Sequence, residues 1–268
     1  MNWDEAAEKA VARVPFFAGK KVREKIEAEA RRDGSSVVRT SHVASAREGF
    51  LKGLPKEARG WRVETCFGSS GCENRAADSD GLIPELEKSL AQAGLADFLR
   101  EKVQGELKMH HEFQVVVSEC PNCCSRPQIA DLGLIGARKP RIGPGPCTQC
   151  GSCVETCREE ALGLAPGSSG PVLDETRCLF CGRCIDACPT GALEEEMVGF
   201  RVLVGGKLGR RPQLGLEAPG LFSEKEVIAL LPLFLRHFRC NNQKGERWGE
   251  VIKRLGFESV LDLIPDRG

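Results

Sequence analysis

The chain has 268 residues, enough for about two domains, and 14 of them are cysteines. Its 38 Lys and Arg residues balance its 38 Asp and Glu residues, so no net field favours nucleic acid or an anionic membrane as a partner. No apolar run approaches the roughly 20 residues of a membrane span, and the acidic start predicts a helix rather than an export signal. Many cysteines without such a signal indicate a reducing compartment and metal ligation, so we expect a cytoplasmic protein.

Residues 1–54 are predicted to form a small helical domain. Apolar residues recur at helical spacing over 3–14, over 20–34 and over 41–50. The segment resembles the small C-terminal domain of dark-operative protochlorophyllide reductase at Trp3, Ala7, Val14-Pro15-Phe16-Phe17, Val22-Arg23, Ile26-Glu27, Ala30-Arg31 and Gly34. In that family the segment lies at an interface that handles a tetrapyrrole. The resemblance implies this role here, and a plain docking or dimerising module remains the alternative.

Two pairs of cysteines, Cys66-x5-Cys72 and Cys120-x3-Cys124, each follow a predicted strand. Each spacing alone is a weak indication, because four scattered thiols are equally consistent with a structural role. Together the pairs indicate more, since both leave strands at loops, where ligands from two turns can converge. The glycine- and serine-rich loop between Cys66 and Cys72 allows backbone to approach a bulky inorganic group.

Eight further cysteines repeat one spacing, as Cys147-x2-Cys150-x2-Cys153-x3-Cys157 and Cys178-x2-Cys181-x2-Cys184-x3-Cys188. In this spacing three thiolates close on one face of a cubane, and the fourth cysteine reaches the other cluster. One [4Fe-4S] cluster is therefore assigned to Cys147, Cys150, Cys153 and Cys188, and the second to Cys157, Cys178, Cys181 and Cys184. Zinc sites lack the third cysteine, and disulfides need a secreted context. The stretch resembles a bacterial two-cluster ferredoxin. One difference is that the last cysteine of the first run is followed by Arg158, whereas the last cysteine of the second run is followed by Pro189.

The residues around the first two cysteine pairs resemble the sirohaem/[4Fe-4S] half-domain of nitrite and sulfite reductases. The similar strings are Cys66-Phe-Gly to Cys72, Ala77-Asp78-Ser79, Cys120-Pro-Asn-x-Cys124-x-Arg126 and Ala130-Asp131-x-Gly133-Leu134-Ile135-Gly136. The resemblance resumes after the ferredoxin-like stretch, at 199–210 and 245–256. It implies a ferredoxin module inserted into the half-domain, as in dissimilatory and anaerobic sulfite reductases.

The resemblance also implies residue roles. A third [4Fe-4S] cluster would be held by Cys66, Cys72, Cys120 and Cys124. Cys124 would bridge this cluster to the sirohaem iron. The carboxylates of sirohaem and an anionic substrate require cations, for which the candidates are Arg75, Arg126, Arg138, Lys139, Lys207, Arg210 and Arg211. Arg126 and Lys207 are preferred for catalysis because they lie within the similar strings, although a solvated surface charge is equally consistent. His110 and His111 are candidate proton relays, and surface histidines are the alternative.

These observations predict an α/β (or α+β) protein with an interrupted sheet domain. The predicted parts are a helical domain at 1–54, a sirohaem-type sheet-and-helix domain at 61–142 and 199–268, and a two-cluster ferredoxin-like insert at 143–198. Strands at 61–65, 112–118 and 200–204 are predicted to share one sheet.

The predicted function is the six-electron reduction of sulfite to sulfide. A ferredoxin-like donor would supply electrons through the two inserted clusters to a cubane coupled to sirohaem. The alternatives are nitrite reduction, a non-catalytic electron-transfer subunit and tetrapyrrole handling. Larger members of the family have two related halves, and this chain resembles one. A second copy, a partner subunit or the helical domain would complete the site, or catalysis has been lost.

Overall fold

The computed structural model describes residues 1–12, 14, 16–53, 58–165, 168 and 170–265. Pro15, which belongs to the motif that resembles protochlorophyllide reductase, lies outside these ranges. The chain divides into two compact units, Met1–Glu57 and Ala58–Gly268. Among the described helices, none combines the length and the apolar character that crossing a membrane requires.

The first unit has the predicted helical character. It contains strand β1 (Asn2–Trp3), helix α1 (Glu5–Val11), helix α2 (Phe16–Arg32), strand β2 (Val37–Val38) and helix α3 (Thr40–Gly53). Helix α1 begins later than predicted because the Asp4 side chain accepts the Ala7 N–H at 2.6 Å and caps it, while the residues before Asp4 pair with β2. A small core unites the helices through Ala7, Val11, Ile26, Ala30 and Val38.

The second unit alternates strands and helices. Its strands are β3 (Trp61–Thr65), β4 (Phe113–Ser118), β5 (Leu132–Ile142), β6 (Leu162–Gly163), β7 (Val172–Leu173), β8 (Leu193–Val204) and β9 (Leu216–Glu217). Its helices are α4 (Leu82–Gln92), α5 (Leu95–Lys102), α6 (Ser152–Thr156), α7 (Arg183–Asp186), α8 (Glu224–Asn241), α9 (Trp248–Leu255) and α10 (Glu258–Leu261).

Five strands form one sheet in the order β3-β4-β5-β8-β9. The pairs β3–β4 and β4–β5 are parallel, whereas β5–β8 and β8–β9 are antiparallel. The prediction that strands at 61–65, 112–118 and 200–204 share a sheet is confirmed. Strand β5 was not predicted, because its glycines and proline obscure the apolar pattern of a strand.

Helices α4, α5, α8 and α9 supply the side chains that bury one face of this sheet. Helix α8 begins at a capping box in which the Ser223 N–H donates to Glu226 Oε2 at 2.6 Å. The apolar stripe of α8 is buried, at Val227, Leu230, Leu231, Phe234, Leu235 and Phe238. The loop that follows β4 packs on the other face of the sheet, where Gly133 of β5 lies against the Pro127 carbonyl.

Strands β5 and β8 are antiparallel neighbours, and the segment that connects them is the predicted insert. Their register runs from Leu132 opposite Val204 to Ile142 opposite Leu193. Residues 143–192 are therefore enclosed between two paired strands, as an insertion requires. Residues 193–198, assigned from sequence to the insert, form the first half of β8 and pair with β5.

Candidate functional site

Twelve of the fourteen cysteines, all of them predicted ligands, form three groups, which we call sites A, B and C. Site A consists of Cys147, Cys150, Cys153 and Cys188, which line one small cavity. Site B consists of Cys157, Cys178, Cys181 and Cys184, which line a cavity of about 190 Å³. Site C consists of Cys66, Cys72, Cys120 and Cys124, whose thiols interact electrostatically. The remaining two cysteines are Cys123, half-buried between two members of site C, and Cys240, exposed near the end of α8.

The repeated spacing produces the same local geometry at sites A and B. Gln149 and Phe180 both adopt positive φ, at 54° and 57°. Their N–H groups donate to the first sulfur of their run at 3.4 Å, Cys147 and Cys178 respectively. Such inward-turned backbone N–H groups stabilise thiolate charge, which is the environment that iron–sulfur clusters require.

Site C is assembled by two parallel strands. Cys66 follows β3 and Cys120 follows β4 by two residues, so both loops leave the same edge of the sheet. The Glu119 N–H donates to Cys66 Sγ at 3.3 Å, and the Gly68 N–H donates to the same sulfur at 3.4 Å. The sheet therefore brings together cysteines that are more than fifty residues apart.

Glu119 holds the two loops of site C against each other. Its buried carboxylate accepts the Ser79 N–H at 3.0 Å and the Ser79 hydroxyl at 2.7 Å. Arg75 Nε lies 2.9 Å from Glu119 Oε2 and completes the ion pair. Gly68 packs so closely that a Cβ there would lie 1.7 Å from the same oxygen. Sequence analysis missed Glu119, although an acid directly after an apolar strand and before Cys120 was a usable indication.

In each of the three sites at least one buried cysteine is disfavoured as a free thiolate. Burial, and then the neighbouring thiols, raises the pKa of Cys120 in site C and of Cys153 in site A. Burial and the other three thiols of site B raise the pKa of Cys184 to about 12. A cationic iron core would compensate this mutual repulsion. The donor sets therefore fit iron–sulfur clusters at all three sites.

Four of the predicted cations are engaged in ion pairs. Arg75 contacts Asp78 and Asp80 as well as Glu119. The buried Lys207 pairs with Glu250 at 2.7 Å. The other two are on β5, where Arg138 pairs with Asp186 and Glu195, and Lys139 with Glu175 and Glu196. Their charges are thus already neutralised within the protein.

Three predicted cations remain available. Arg126, Arg210 and Arg211 are exposed, and none of them makes an ion pair with any residue the structure describes. Arg126 is two residues after Cys124 and has a positive φ of 63°. It therefore lies beside site C with its charge uncompensated.

The two predicted histidine relays are not brought to site C. Their rings lie 4.0 Å apart, and His111 Nδ1 accepts the Lys108 N–H at 3.0 Å, which closes the turn before β4. Site C follows the other end of that six-residue strand, about 20 Å away. Burial, followed by His110 and nearby cations, lowers the pKa of His111.

Two further ion pairs of the second unit were not predicted. Arg247 donates to the buried Asp131 and to the His110 carbonyl, which ties α9 to the start of β5. Arg201 on β8 makes a two-fold contact with Glu217 on β9, with both N–O distances at 2.6 Å. Neither pair has a local sequence signature, because the partners are 116 and 16 residues apart.

Comparison with known proteins identifies two family models. "Nitrite and sulphite reductase 4Fe-4S domain" matches residues 57–267, and "Proto-chlorophyllide reductase 57 kD subunit" matches residues 3–47. Both resemblances inferred from sequence motifs are thereby confirmed.

Curated relatives point in the same direction. The coenzyme F420-dependent sulfite reductase of Methanocaldococcus jannaschii is 33% identical over 203 residues, which are 75% of this chain and 30% of that protein. One subunit of the anaerobic sulfite reductase of Salmonella typhimurium is 31% identical over 204 residues, which are 74% of this chain and 56% of that protein. The chain thus spans about a third to just over half of these relatives.

The fold resembles a solved structure of dissimilatory sulfite reductase I, with a TM-score of 0.51 and 22% identity over 77% of this chain and 52% of that one. This likeness confirms the predicted fold class.

Proposed function

This chain belongs to the nitrite and sulphite reductase 4Fe-4S domain family, and we propose that it is the iron–sulfur and sirohaem-binding part of a sulfite reductase. The observation that carries the proposal is the close approach of two cysteine sites. The cavity at site B is lined by all four site B cysteines and also by Asn74, Cys120, Pro121 and Asn122, which belong to the loops of site C. A ferredoxin-type cluster at site B would thus adjoin a cluster at site C.

We assign one [4Fe-4S] cluster to each of sites A, B and C, with electrons passing in that order. Site B is the neighbour of site C, whereas no residue of the site C loops lines the cavity at site A. We therefore assign site A as the entry point for a ferredoxin-like donor. Arg183, at the start of α7, donates a hydrogen bond to Asn74, which follows the site C cysteine Cys72 by two residues. This contact supports a fixed path between sites B and C.

Cys124 is the residue we assign to both the site C cluster and sirohaem. It is exposed, whereas Cys120 is buried, so its sulfur is accessible to a large group outside the loop. Sirohaem, when bound there, supplies an iron at which the six-electron reduction of sulfite takes place. The exposed Arg126, Arg210 and Arg211 are suited to bind its carboxylates and the anionic substrate.

Lys207 and Arg75 have different roles in this proposal. Lys207 is held by Glu250, and Arg75 by Glu119, so each supports the binding surface through another residue. Lys207 would reach the substrate only by exchanging its carboxylate partner. Arg126 is therefore the stronger candidate for direct contact.

The proposed site needs a second component. The chain spans 56% of the Salmonella relative, and larger family members have two related halves. Cys124 and Arg126 are both exposed, so this part of site C is open to solvent rather than enclosed. We propose that a second copy of the chain or a partner subunit covers it.

Two further functions are retained because specific matches favour them. Nitrite is the alternative substrate, since the family model includes nitrite reductases. Tetrapyrrole handling is favoured by the match at residues 3–47. Anaerobic purification followed by iron, acid-labile sulfide and extracted-tetrapyrrole analysis distinguishes a catalytic protein from an electron-transfer subunit, because only the former yields sirohaem.

The deciding experiment compares Cys124→Ser with Cys123→Ser. We expect Cys124→Ser to abolish sulfide production from sulfite with reduced viologen, because a hydroxyl is a poorer iron ligand than a thiolate. Cys123→Ser should largely retain it, since burial raises the pKa of Cys123 to about 11 and keeps it a neutral thiol. The second variant controls for damage to the shared loop. Equal activity in both variants, or loss only in Cys123→Ser, would refute the assignment.

A further inference from the structure

The two cysteine runs have the same backbone conformation at a position where their charges differ. Helices α6 and α7 each begin directly after a glycine in the left-handed region, Gly151 at φ 82° and Gly182 at φ 75°. The residue that follows this glycine is Ser152 in the first run and Arg183 in the second. Because the backbone is equivalent, the two side chains leave it in the same direction relative to their own cysteines. Site A is therefore an internal reference for the effect of Arg183 on site B.

Arg183 lies at the cavity of site B, and the site C loop holds its side chain there. Arg183 and Asn74 both line this cavity. The Arg183 Nη2–H donates to Oδ1 of Asn74, which is an uncharged acceptor. Arg183 is half-buried and makes no ion pair within the described part of the chain. Its charge is therefore held in place without being neutralised, whereas Arg138 is paired with both Asp186 and Glu195.

The cavities at sites A and B differ in the charge that lines them. Three charged side chains line the cavity at site B, namely Arg158, Glu159 and Arg183. Arg158 and Glu159 are exposed neighbours of opposite sign, so their fields largely offset each other. Among the described residues that line the cavity at site A, none is charged apart from the cysteines, and the equivalent positions hold Pro189 and Thr190. Arg183 is therefore the cation that distinguishes site B from site A.

A fixed cation at this cavity favours the reduced state of a cluster at site B. Reduction adds one negative charge to a cluster, so the potential of a [4Fe-4S] cluster rises where positive charge lies nearby. A guanidinium stays protonated throughout the physiological pH range, so its charge is constant. Half-burial also protects Arg183 from part of the screening that weakens exposed charges. The position and the constancy of this charge therefore allow it to act on site B.

We propose that Arg183, held by Asn74, raises the reduction potential of the cluster at site B above that of the cluster at site A. The step that this favours is the transfer of one electron from site A to site B, in which no bond is made or broken and no proton moves. The electron comes from the ferredoxin-like donor of the proposed function. Arg183 acts through its charge and is not a ligand of the cluster. This inference rests on the proposed function, because it requires the clusters.

The test measures midpoint potentials rather than turnover. EPR-monitored redox titrations are run on the anaerobically purified full chain and on Arg183→Gln, Arg183→Lys and Arg177→Gln. The signals altered in Cys181→Ser and in Cys147→Ser identify the clusters at sites B and A, respectively. Arg177 is the matched control, because it also adjoins a site B cysteine but is not among the residues that line the cavity. Its side chain is 48% exposed and pairs with Glu160 at 2.9 Å.

The two substitutions of Arg183 should have different effects, because only one of them removes the charge. Arg183→Gln should lower the equilibrium constant for one-electron reduction at site B about tenfold, which corresponds to about 59 mV. Arg183→Lys keeps the positive charge and should retain most of the site B potential. Arg177→Gln should leave both potentials unchanged, and neither Arg183 variant should move the site A potential, since Arg183 does not line that cavity. Equal losses in Arg183→Gln and Arg183→Lys would indicate a structural role only and would overturn the proposal.

Cluster content distinguishes a failure of this inference from a failure of the proposed function. Iron and acid-labile sulfide are measured on every sample, and their absence from the unmodified protein overturns both. Unmoved potentials in Arg183→Gln, or equal shifts at sites A and B, overturn the inference alone when the clusters are present. Should Arg183→Gln lose iron, Asn74→Asp decides, because this variant keeps Arg183 and offsets its charge. The site B potential should then fall, and an unchanged or raised value contradicts the proposal.

Discussion

The contact between Gly68 and Glu119 illustrates how single residues shape site C. Glu119 donates its N–H to Cys66, and its carboxylate binds Ser79 and Arg75. One residue thus fixes a sulfur through its backbone and a neighbouring loop through its side chain. The absence of a side chain at Gly68 is what makes room for that carboxylate.

We predict that Gly68→Ala selectively weakens site C. Its Cβ would lie 1.7 Å from Glu119 Oε2, and the carboxylate is backed by Arg75, so it has little freedom to move. The cost should be about 1–3 kcal/mol of folding stability, together with loss of about one cubane of iron. Thermal unfolding and iron analysis measure both. Gly163→Ala is the control, because no atom lies within 4 Å of its added Cβ; an intact iron content in Gly68→Ala would contradict the prediction.

At the scale of elements, helices α8 and α9 are joined by a buried histidine. The Trp248 Nε1–H donates to His237 Nδ1 at 3.1 Å, and His237 Nε2 lies 3.2 Å from the Ser259 hydroxyl. Since Nδ1 is the acceptor, the neutral ring carries its proton on Nε2. Burial lowers the pKa of His237 below its ordinary value of 6.5.

This arrangement predicts a stability that falls in mild acid. The unfolded chain takes up a proton on His237 first, so stability decreases as the pH drops below about 6.5 and until the lower folded pKa is reached. Above that window the group contributes no pH dependence. In His237→Asn the unfolding midpoint should be lower at pH 7.5 but less dependent on pH down to about 5.5. The exposed His110→Asn should retain the dependence of the unmodified protein, and an unchanged slope in His237→Asn would refute the assignment.

A second element-scale feature is the attachment of the insert. Arg138 on β5 binds Asp186 in α7 through both terminal nitrogens and Glu195 on β8 through Nε. Gly182 packs closely against this side chain, since a Cβ at Gly182 would lie only 2.9–3.2 Å from the aliphatic carbons of Arg138. Arg138, a candidate cofactor ligand from sequence, instead anchors the site B helix to the sheet. The spacing between sites B and C is therefore set by strand pairing and not by a flexible hinge.

At the scale of the whole molecule, the proposed route makes site A dispensable for binding sirohaem but necessary for protein-driven turnover. Cys147→Ser should leave the sirohaem spectrum intact, because site A shares no residue with site C. It should lose most of its activity with a ferredoxin-like donor while keeping more of it with a small reduced viologen. The measurement is sulfide production with each donor. Cys240→Ser, outside all three sites, is the control; full ferredoxin-driven activity in Cys147→Ser would refute the route.

The sequence alone determined the features that depend on neighbouring residues. The grouping of the cysteines at sites A and B follows from their spacing, because two turns of backbone dictate where three sulfurs lie. The strands at 61–65 and 112–118 and the stripe of α8 follow from apolar periodicity. The family resemblance extended this interpretation to site C, whose two loops are too far apart in sequence for spacing to join them.

The tertiary structure decided which charged residues are free and which are engaged. Arg75, Arg126, Lys207 and Arg210 looked alike as cations near similar strings, but Arg75 and Lys207 are neutralised by Glu119 and Glu250. Arg126 and Arg210 remain exposed without an ion pair in the described chain. The ion pair of Arg201 had no indication in sequence, because its partner Glu217 comes from a different strand, β9. Long-range pairing decides such partners, since the energy of a charge depends on every group that folding brings near it.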